Sequence, residues 1–300
     1  MTLFYSDGFI LPLPAHHRFP MAKYARLRSR LLDSGEFEER DFRVPDAASD
    51  AEITRVHCAD YLRRVATGAM SPQEIRAIGF PWSERMVERS RRSSGATLAA
   101  AREALSRGWS ANLAGGTHHA FRDRGEGFCV FNDAAIAARA MQAEAGLQRV
   151  AIIDCDVHQG NGTAAIFAGD DSVFTFSIHG ARNFPFAKEA SDLDIELADG
   201  TGDHEYLWHL ERGLDETLER SRPQLAFYLA GADPYEGDRL GRLALTQAGL
   251  ARRDDLVLRT LAARGVPVAL AMAGGYARDI EDSVAIHARS IVAARRVFAG

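Results

Sequence analysis

Cysteine is scarce in this chain of 300 residues, and Cys58, Cys129 and Cys155 show no disulfide-like spacing. That argues against a secreted, disulfide-stapled fold and for a reducing, cytoplasmic setting. Lysine is scarcer still, with only Lys23 and Lys188 among 36 basic residues. Arginine supplies the rest, a bias of composition that says little about function. Positive charge is not in surplus either, since the net charge is −5 and the pI about 6.1. A nucleic-acid partner held through phosphates is therefore not expected. No apolar run approaches the length of a membrane span, so no membrane partner is expected. Met1–Leu13 carries an early Asp7 and no basic start, so no signal peptide is expected. Repeats, low-complexity tracts and linkers are absent too.

What is present is an ordinary globular composition, 46% hydrophobic and 26% charged. The length suits one α/β domain over residues 1–300. Residues 1–90 read as irregular and helix-poor, with a short helix at Arg26–Leu32. From Ser93 the pattern alternates. Helices are expected at Ser93–Arg107, Asn132–Ala145, His204–Leu218, Thr246–Ala263 and Glu281–Phe298. Strands are expected at Ala111–Ala114, Val150–Asp154, Val173–Ile178, Gln224–Ala230 and Val266–Met272. Such alternation predicts a mainly parallel sheet with helices on both faces.

The polar residues have a common placement at the ends of those strands. His118-His119 follows the first, Asp154, Asp156 and His158 the second, Ser177 and His179 the third, Asp233 the fourth, and Gly274-Gly275-Tyr276 the fifth. Open α/β sheets bind ligands outside the carboxyl ends of their strands. Asp154, Asp156 and His158 fall at every second residue, so they leave the strand on one side. Two carboxylates and an imidazole there suit a metal, with zinc the first expectation. Asp156, His158 and Asp233 make a three-ligand site with one open position. His118-His119 supplies two bases, and Asp154 is placed to orient one of them. The other tandem pair, His16-His17, reads as an exposed polar turn. Tyr276 can donate its hydroxyl to a developing oxyanion. Phe128 and Phe184 are loop aromatics suited to apolar tunnel walls. Cys155 alternates away from the ligands and reads as core. Gly160-Asn161-Gly162 lacks the Lys-Ser/Thr of a phosphate loop, and no Gly-x-Ser-x-Gly nucleophile elbow occurs.

These segments resemble the zinc-dependent histone deacetylase family. The matching stretches are Gly115–Ala120, Gly127–Asp133, Asp154–Gly162, Ser177–His179, Gly231–Asp238 and Gly274–Tyr276. His158–Gly162 and Ala273–Tyr276 are most similar to the class IV branch. The resemblance implies an arginase/deacetylase-like α/β fold and hydrolysis of N-acyl-lysine amides in a protein or peptide. It assigns zinc to Asp156, His158 and Asp233, with His119 as general base and His118, paired with Asp154, as its electrostatic or proton-transfer partner. Tyr276 would stabilise the tetrahedral intermediate. Phe128, Phe184 and Leu240 would line the lysine tunnel, and the Gly127 carbonyl would receive the substrate amide. A structural monovalent cation, potassium, would match Asp154, Asp156, His158, Ser177 and Ile178. A second cation site would match Phe167, Asp170 and Val173, where Ser191 replaces the family's aromatic residue. Asn161 stands where many members place an Asp partner for the second histidine. No acidic rim residue is found around Trp82.

Three other functions share some of these features. A small acylated amine, such as an acetylated polyamine, would use the same chemistry. A dimetal ureohydrolase would need further bridging carboxylates. A non-catalytic acyl-lysine binder would not need the histidine pair and the tyrosine. Neither acyl-chain length nor oligomeric state has a signature in the sequence.

Overall fold

Short runs rich in β-branched, aromatic and leucine residues become the strands of this protein. A computed structural model describes residues 1–14 and 17–298. Among them, eight strands form one sheet: β1 (Leu3–Phe4), β2 (Phe42–Arg43), β3 (Trp109–Asn112), β4 (Val150–Asp154), β5 (Val173–Gly180), β6 (Leu193–Leu197), β7 (Leu225–Leu229) and β8 (Val268–Ala271). The order is β2-β1-β3-β8-β7-β4-β5-β6, and every neighbouring pair runs parallel. The helices are α1 (Lys23–Asp33), α2 (Asp50–Ile53), α3 (Ala59–Thr67), α4 (Pro72–Ile78), α5 (Glu84–Arg107), α6 (Asp133–Ala145), α7 (Asn161–Phe167), α8 (Asp203–Ser221), α9 (Gln247–Ala263) and α10 (Ile280–Phe298).

Strand alternation divides the interior into two cores. Val150 and Ile152 of β4, with Leu225, Phe227 and Leu229 of β7, face α5 and α6. Ile153, Ala226, Tyr228, Val268 and Leu270 face the opposite way, toward α1, α8, α9 and α10. Both faces of the sheet are therefore covered, which is why its central strands are apolar throughout. Cys155 lies in the second core, away from the ligand-type residues around it.

The register decides where the polar loops meet. Asn112 of β3 pairs with Ala271 of β8, Ala271 with Leu229 of β7, Leu229 with Asp154 of β4, and Asp154 with Ser177 of β5. The carboxyl ends of these strands lie level, so the loops that leave them open onto the same edge.

Before Ser93 there is more helix than the sequence reading gave: α1 contains the expected Arg26–Leu32, while α2, α3, α4 and the first part of α5 were not expected. Two of the missed helices begin with reciprocal capping boxes, Ser49 with Glu52 and Ser71 with Glu74. α5 begins at Glu84, capped by Ser83, because its arginine-rich first half binds loop carbonyls instead of showing an apolar stripe. Strands β1 and β2 have two residues each, too few for any period to show. β6 is a half-exposed edge strand, Leu-Asp-Ile-Glu-Leu. β3 lies two residues earlier than expected. His16 lies outside the described residues. His17 is not a solvated turn residue, since its Nε2 lies 2.9 Å from the Gly79 carbonyl and its ring stacks on Phe80.

Gly95, in the middle of α5, lets the chain at Asp46–Ala48 cross the helix. A Cβ there would overlap the Asp46 carbonyl oxygen. In an open helix, alanine is favoured over glycine by about 1 kcal/mol. Here the overlap should outweigh that gain, at a cost of about 1–3 kcal/mol. Gly95→Ala should lower Tm by about 2–6 °C in thermal denaturation. An unchanged or raised Tm would show that the Asp46 segment simply yields.

Candidate active site

The loops at the level edge of the sheet enclose a cavity of about 750 Å³. His118, His119, Asp156, His158, Gly127, Phe128, Phe184, Leu240 and Tyr276 all line it. Asp154, Asn161 and Asp233 stand behind this wall and are buried. Ser177 and Ile178 are buried on β5, and His179 Nδ1 is engaged by Ser177 Oγ at 2.9 Å.

Asp156, His158 and Asp233 converge, each offering a donor atom within 4.8 Å of the others. The Asp156 N–H bonds Asp154 Oδ1 at 3.1 Å, and the His158 N–H bonds Asp156 Oδ1 at 2.9 Å, which fixes the turn after β4. His158 Nδ1 lies 2.9 Å from Asp156 Oδ1 and 3.2 Å from Asp233 Oδ2. Asp233 Oδ2 is nevertheless reached by no hydrogen-bond donor among the described residues. An orphaned buried carboxylate oxygen beside a second carboxylate and an imidazole suits a divalent cation. Burial, with the charge on Asp156 beside it, lifts the Asp233 carboxyl to about 7. Burial opposes charge on His158 too, but the hydrogen bond to Asp156 and the negative charge of Asp233 beside it win and raise it to about 10.

The two adjacent histidines differ in their partners. His118 Nδ1 lies 2.6 Å from Asp154 Oδ2, and His119 Nδ1 lies 2.7 Å from Asn161 Oδ1. Burial opposes charge on His118, yet Asp154 and Asp156 together raise its pKa to about 9. Burial, then the charges of His118 and His158, holds His119 well below the usual imidazole range. Since Asn161 presents its oxygen, His119 Nδ1 carries the proton and Nε2 keeps its lone pair. The rings lie 4.2 Å apart, one suited to stay charged and the other neutral.

Phe128 has φ of 67°, a left-handed conformation rare for an aromatic residue. Its N–H bonds the Ile78 carbonyl at 2.8 Å, and that of Gly127 bonds Ala77 at 3.0 Å. The loop is thus pinned to the end of α4. Gly127 needs to be glycine, because a Cβ would stand 2.6 Å from the His119 ring. Phe184 packs edge-on against His119 at 4.9 Å, and Phe128 lies 6.1 Å from the Tyr276 ring. The Leu240 carbonyl accepts from Asn183 at 2.8 Å. Trp82 is off the cavity, with its Nε1 bonded to the Val65 carbonyl.

Two supporting residues escaped the sequence reading. Asp133 accepts from the Gly116 N–H at 3.0 Å, from the Thr117 N–H at 2.7 Å and from the Thr117 hydroxyl at 2.6 Å. It thereby holds the turn that presents the histidines. Lys23 is buried, donating to the Ala273 and Gly275 carbonyls at 3.3 and 3.4 Å, with its ammonium 5.3 Å from the Tyr276 ring. A lone aspartate after an asparagine cap and a lone lysine on an amphipathic helix carry no local signal of either contact. Arg139 lies over the Phe167 ring at 4.9 Å and pairs with Asp170. Arg139 thus engages two of the residues matched to the second cation site.

Residues 17–292 match the family model described as the histone deacetylase domain. An uncharacterised protein of Picosynechococcus sp. is 45% identical over 294 residues, 98% of each chain. Histone deacetylase 2 of Arabidopsis thaliana is 30% identical over 300 residues, covering 95% of this chain and 78% of its own length. The crystal structure of an HDAC homologue from Aquifex aeolicus superposes with a TM-score of 0.82 at 23% identity, over 100% of this chain and 88% of that one, a likeness of fold.

Proposed function

The chain belongs to the histone deacetylase family, generally zinc-dependent deacetylases, and on that footing we propose that it hydrolyses N-acyl-lysine amides. The observation that carries the proposal is the pair of adjacent histidines, one held by the Asp154 carboxylate and the other by the Asn161 amide, beside the Asp156–His158–Asp233 cluster. Those three residues would hold the zinc. When bound, it would supply a Lewis acid that polarises the acyl carbonyl and acidifies a water. Asp154, Asp156, His158, Ser177 and Ile178 would hold a structural potassium ion beside it.

The remaining work falls to the chain's own side chains. Phe128 and Phe184, with Leu240, would hold the lysine stem, and the Gly127 carbonyl would accept the substrate N–H. His119 Nε2 would take a proton from water as its oxygen bonds to the acyl carbon. Asn161 would keep the ring in the required tautomer. The Tyr276 hydroxyl would donate to the oxyanion; burial raises its pKa well above the usual value, so it stays protonated. His118, kept cationic by Asp154, would stabilise the negative charge that develops, and the histidine pair would return a proton to the departing amine as the C–N bond breaks.

The direct test is a panel of lysine peptides carrying acetyl to myristoyl groups, with acetylated polyamines beside them. Purified protein should carry about one zinc per chain, consistent with a three-residue site, and should release the acyl group as a free carboxylic acid, leaving an unmodified lysine side chain in the peptide. Protein that holds zinc yet turns over no acyl-lysine peptide would overturn the proposal. Preferential turnover of acetylated polyamines would favour the small-amine reading.

Tyr276→Phe should lower kcat by about 100-fold or more while KM changes little, because one oxyanion donor is worth about 3 kcal/mol in the transition state. An unchanged kcat would leave Tyr276 as a wall residue.

Asn161 gives a prediction in pH. His119 acts as a base only when neutral, so activity falls as pH drops through its pKa. A carboxylate at position 161 would favour the imidazolium and raise that pKa. Asn161→Asp should therefore move the acidic limb of the kcat/KM profile to higher pH. Superimposable limbs at equal zinc content would remove Asn161 from the chemistry.

A further inference from the structure

The mouth of the cavity is marked by arginine. Arg18, Arg182, Arg239 and Arg242 all line it and are exposed. Among the described residues, Asp156 is the one carboxylate on the cavity wall, and it is buried with the ligand cluster. Outside the wall, Asp199 lies 3.1 Å from Arg242 and 4.0 Å from Arg182, so one carboxylate is shared by two guanidiniums. Arg18 and Arg239 have no carboxylate partner among the described residues. Arg239 Nε donates instead to the Tyr276 carbonyl at 3.0 Å, which directs that side chain along the rim. Phe186 stands 85% exposed beside them.

This local sign opposes that of the whole molecule, whose net charge is −5. A like-charged cluster of four arginines at one opening gains nothing in stability from mutual repulsion. Its effect is on whatever approaches. An acylated lysine is itself neutral, so the rim acts on the residues flanking it.

Resting on the acyl-lysine reading above, we propose that this rim selects acyl-lysines flanked by aspartate or glutamate, and disfavours cationic peptides and acylated polyamines. Carboxylates on either side of the modified lysine would reach the guanidiniums once the acyl stem enters the tunnel. Arginine suits the task, since its planar fork accepts a carboxylate in bidentate fashion. A polybasic tail or a polyamine would meet repulsion at the same point.

The test uses three peptides of one length and one acyl group, with the modified lysine flanked by Glu, by Ala or by Arg, and N-acetylspermidine as a fourth substrate. At low ionic strength kcat/KM should be about tenfold higher for the Glu-flanked than for the Arg-flanked peptide, with Ala between. The ratio should shrink toward unity at about 0.5 M salt. N-acetylspermidine should be turned over more slowly than the Ala-flanked peptide. Arg182→Glu, with Arg18→Glu as a second variant, should reduce the Glu-to-Arg ratio by about threefold or more. Equal rates for the three peptides, a preference for arginine flanks, faster turnover of the polyamine, or a ratio that ignores both charge reversals would overturn the proposal. Should a variant fail to fold, the salt series on the unaltered protein still decides. Absence of turnover on the Ala-flanked peptide would instead count against acyl-lysine hydrolysis itself.

Discussion

Buried negative charge is the constraint on which the rest of this structure depends. Asp154, Asp156 and Asp233 lie at the end of the central strands, all buried. Two carboxylates as close as Asp156 and Asp233 repel by about 3 kcal/mol even at a generous effective dielectric. A fold of this kind has about 5–15 kcal/mol in total. The charges are tolerable only if cations or donors meet them. His118 answers Asp154, and His158 answers Asp156. Asp233 Oδ1 is met by the Val157 N–H at 3.0 Å, and its second oxygen is left free for a ligand. Metal binding and catalysis are then consequences of how this charge is answered.

The backbone is shaped to the same end. The Gly274 N–H bonds Asp156 Oδ2 at 2.7 Å, and any side chain on Gly274 would collide with the Asp233 carboxylate. Glycine lets a peptide N–H reach a carboxylate that a Cβ would push away. Opposite, Asp133 clasps the Gly116-Thr117 turn, so the histidines are held from beneath by hydrogen bonds and not by packing alone. Lys23 ties α1 to the carbonyls flanking Gly274, and so joins a helix of the far N-terminal region to the turn that carries Tyr276. Rigid support of this kind suits a site whose groups need defined positions relative to one another.

Much of this was legible because central parallel strands are apolar runs with abrupt polar ends. β4 begins and ends where Val150–Asp154 does, and Asn132 and Thr246 cap the helices that their sequences suggest. Before Ser93 the helix at Arg26–Leu32 was expected and α1 contains it, but α2, α3 and α4 were missed although Ser49 and Ser71 carried readable capping boxes, since short helices offer too few turns for an apolar stripe. β1 and β2 owe their existence to the sheet edge and not to local propensity. At the site, the polar residues at strand ends were found, and those that support them from helices or stand on the rim were not. Lys23, Asp133 and the four rim arginines come from separate segments, and only the fold brings them to the same loops.

The segment from Asp154 to Asn161 shows how closely the tasks are joined. It carries the partner of one histidine, two members of the ligand cluster and, as the first residue of α7, the partner of the other histidine. Strand alternation sends Asp154 and Asp156 to one side and Cys155 to the core, so the residues cannot exchange roles by a small shift in register. Asp156 contributes to both halves, because it bonds His158 and its charge also helps hold His118 protonated. Changing Asp156 would therefore alter the charge on a histidine it does not hydrogen-bond. Residues that share a partner in this way couple, and their substitutions do not add. The neutral amide of Asn161 is the exception within the segment, since it orients His119 without adding to the negative charge that the site must already balance.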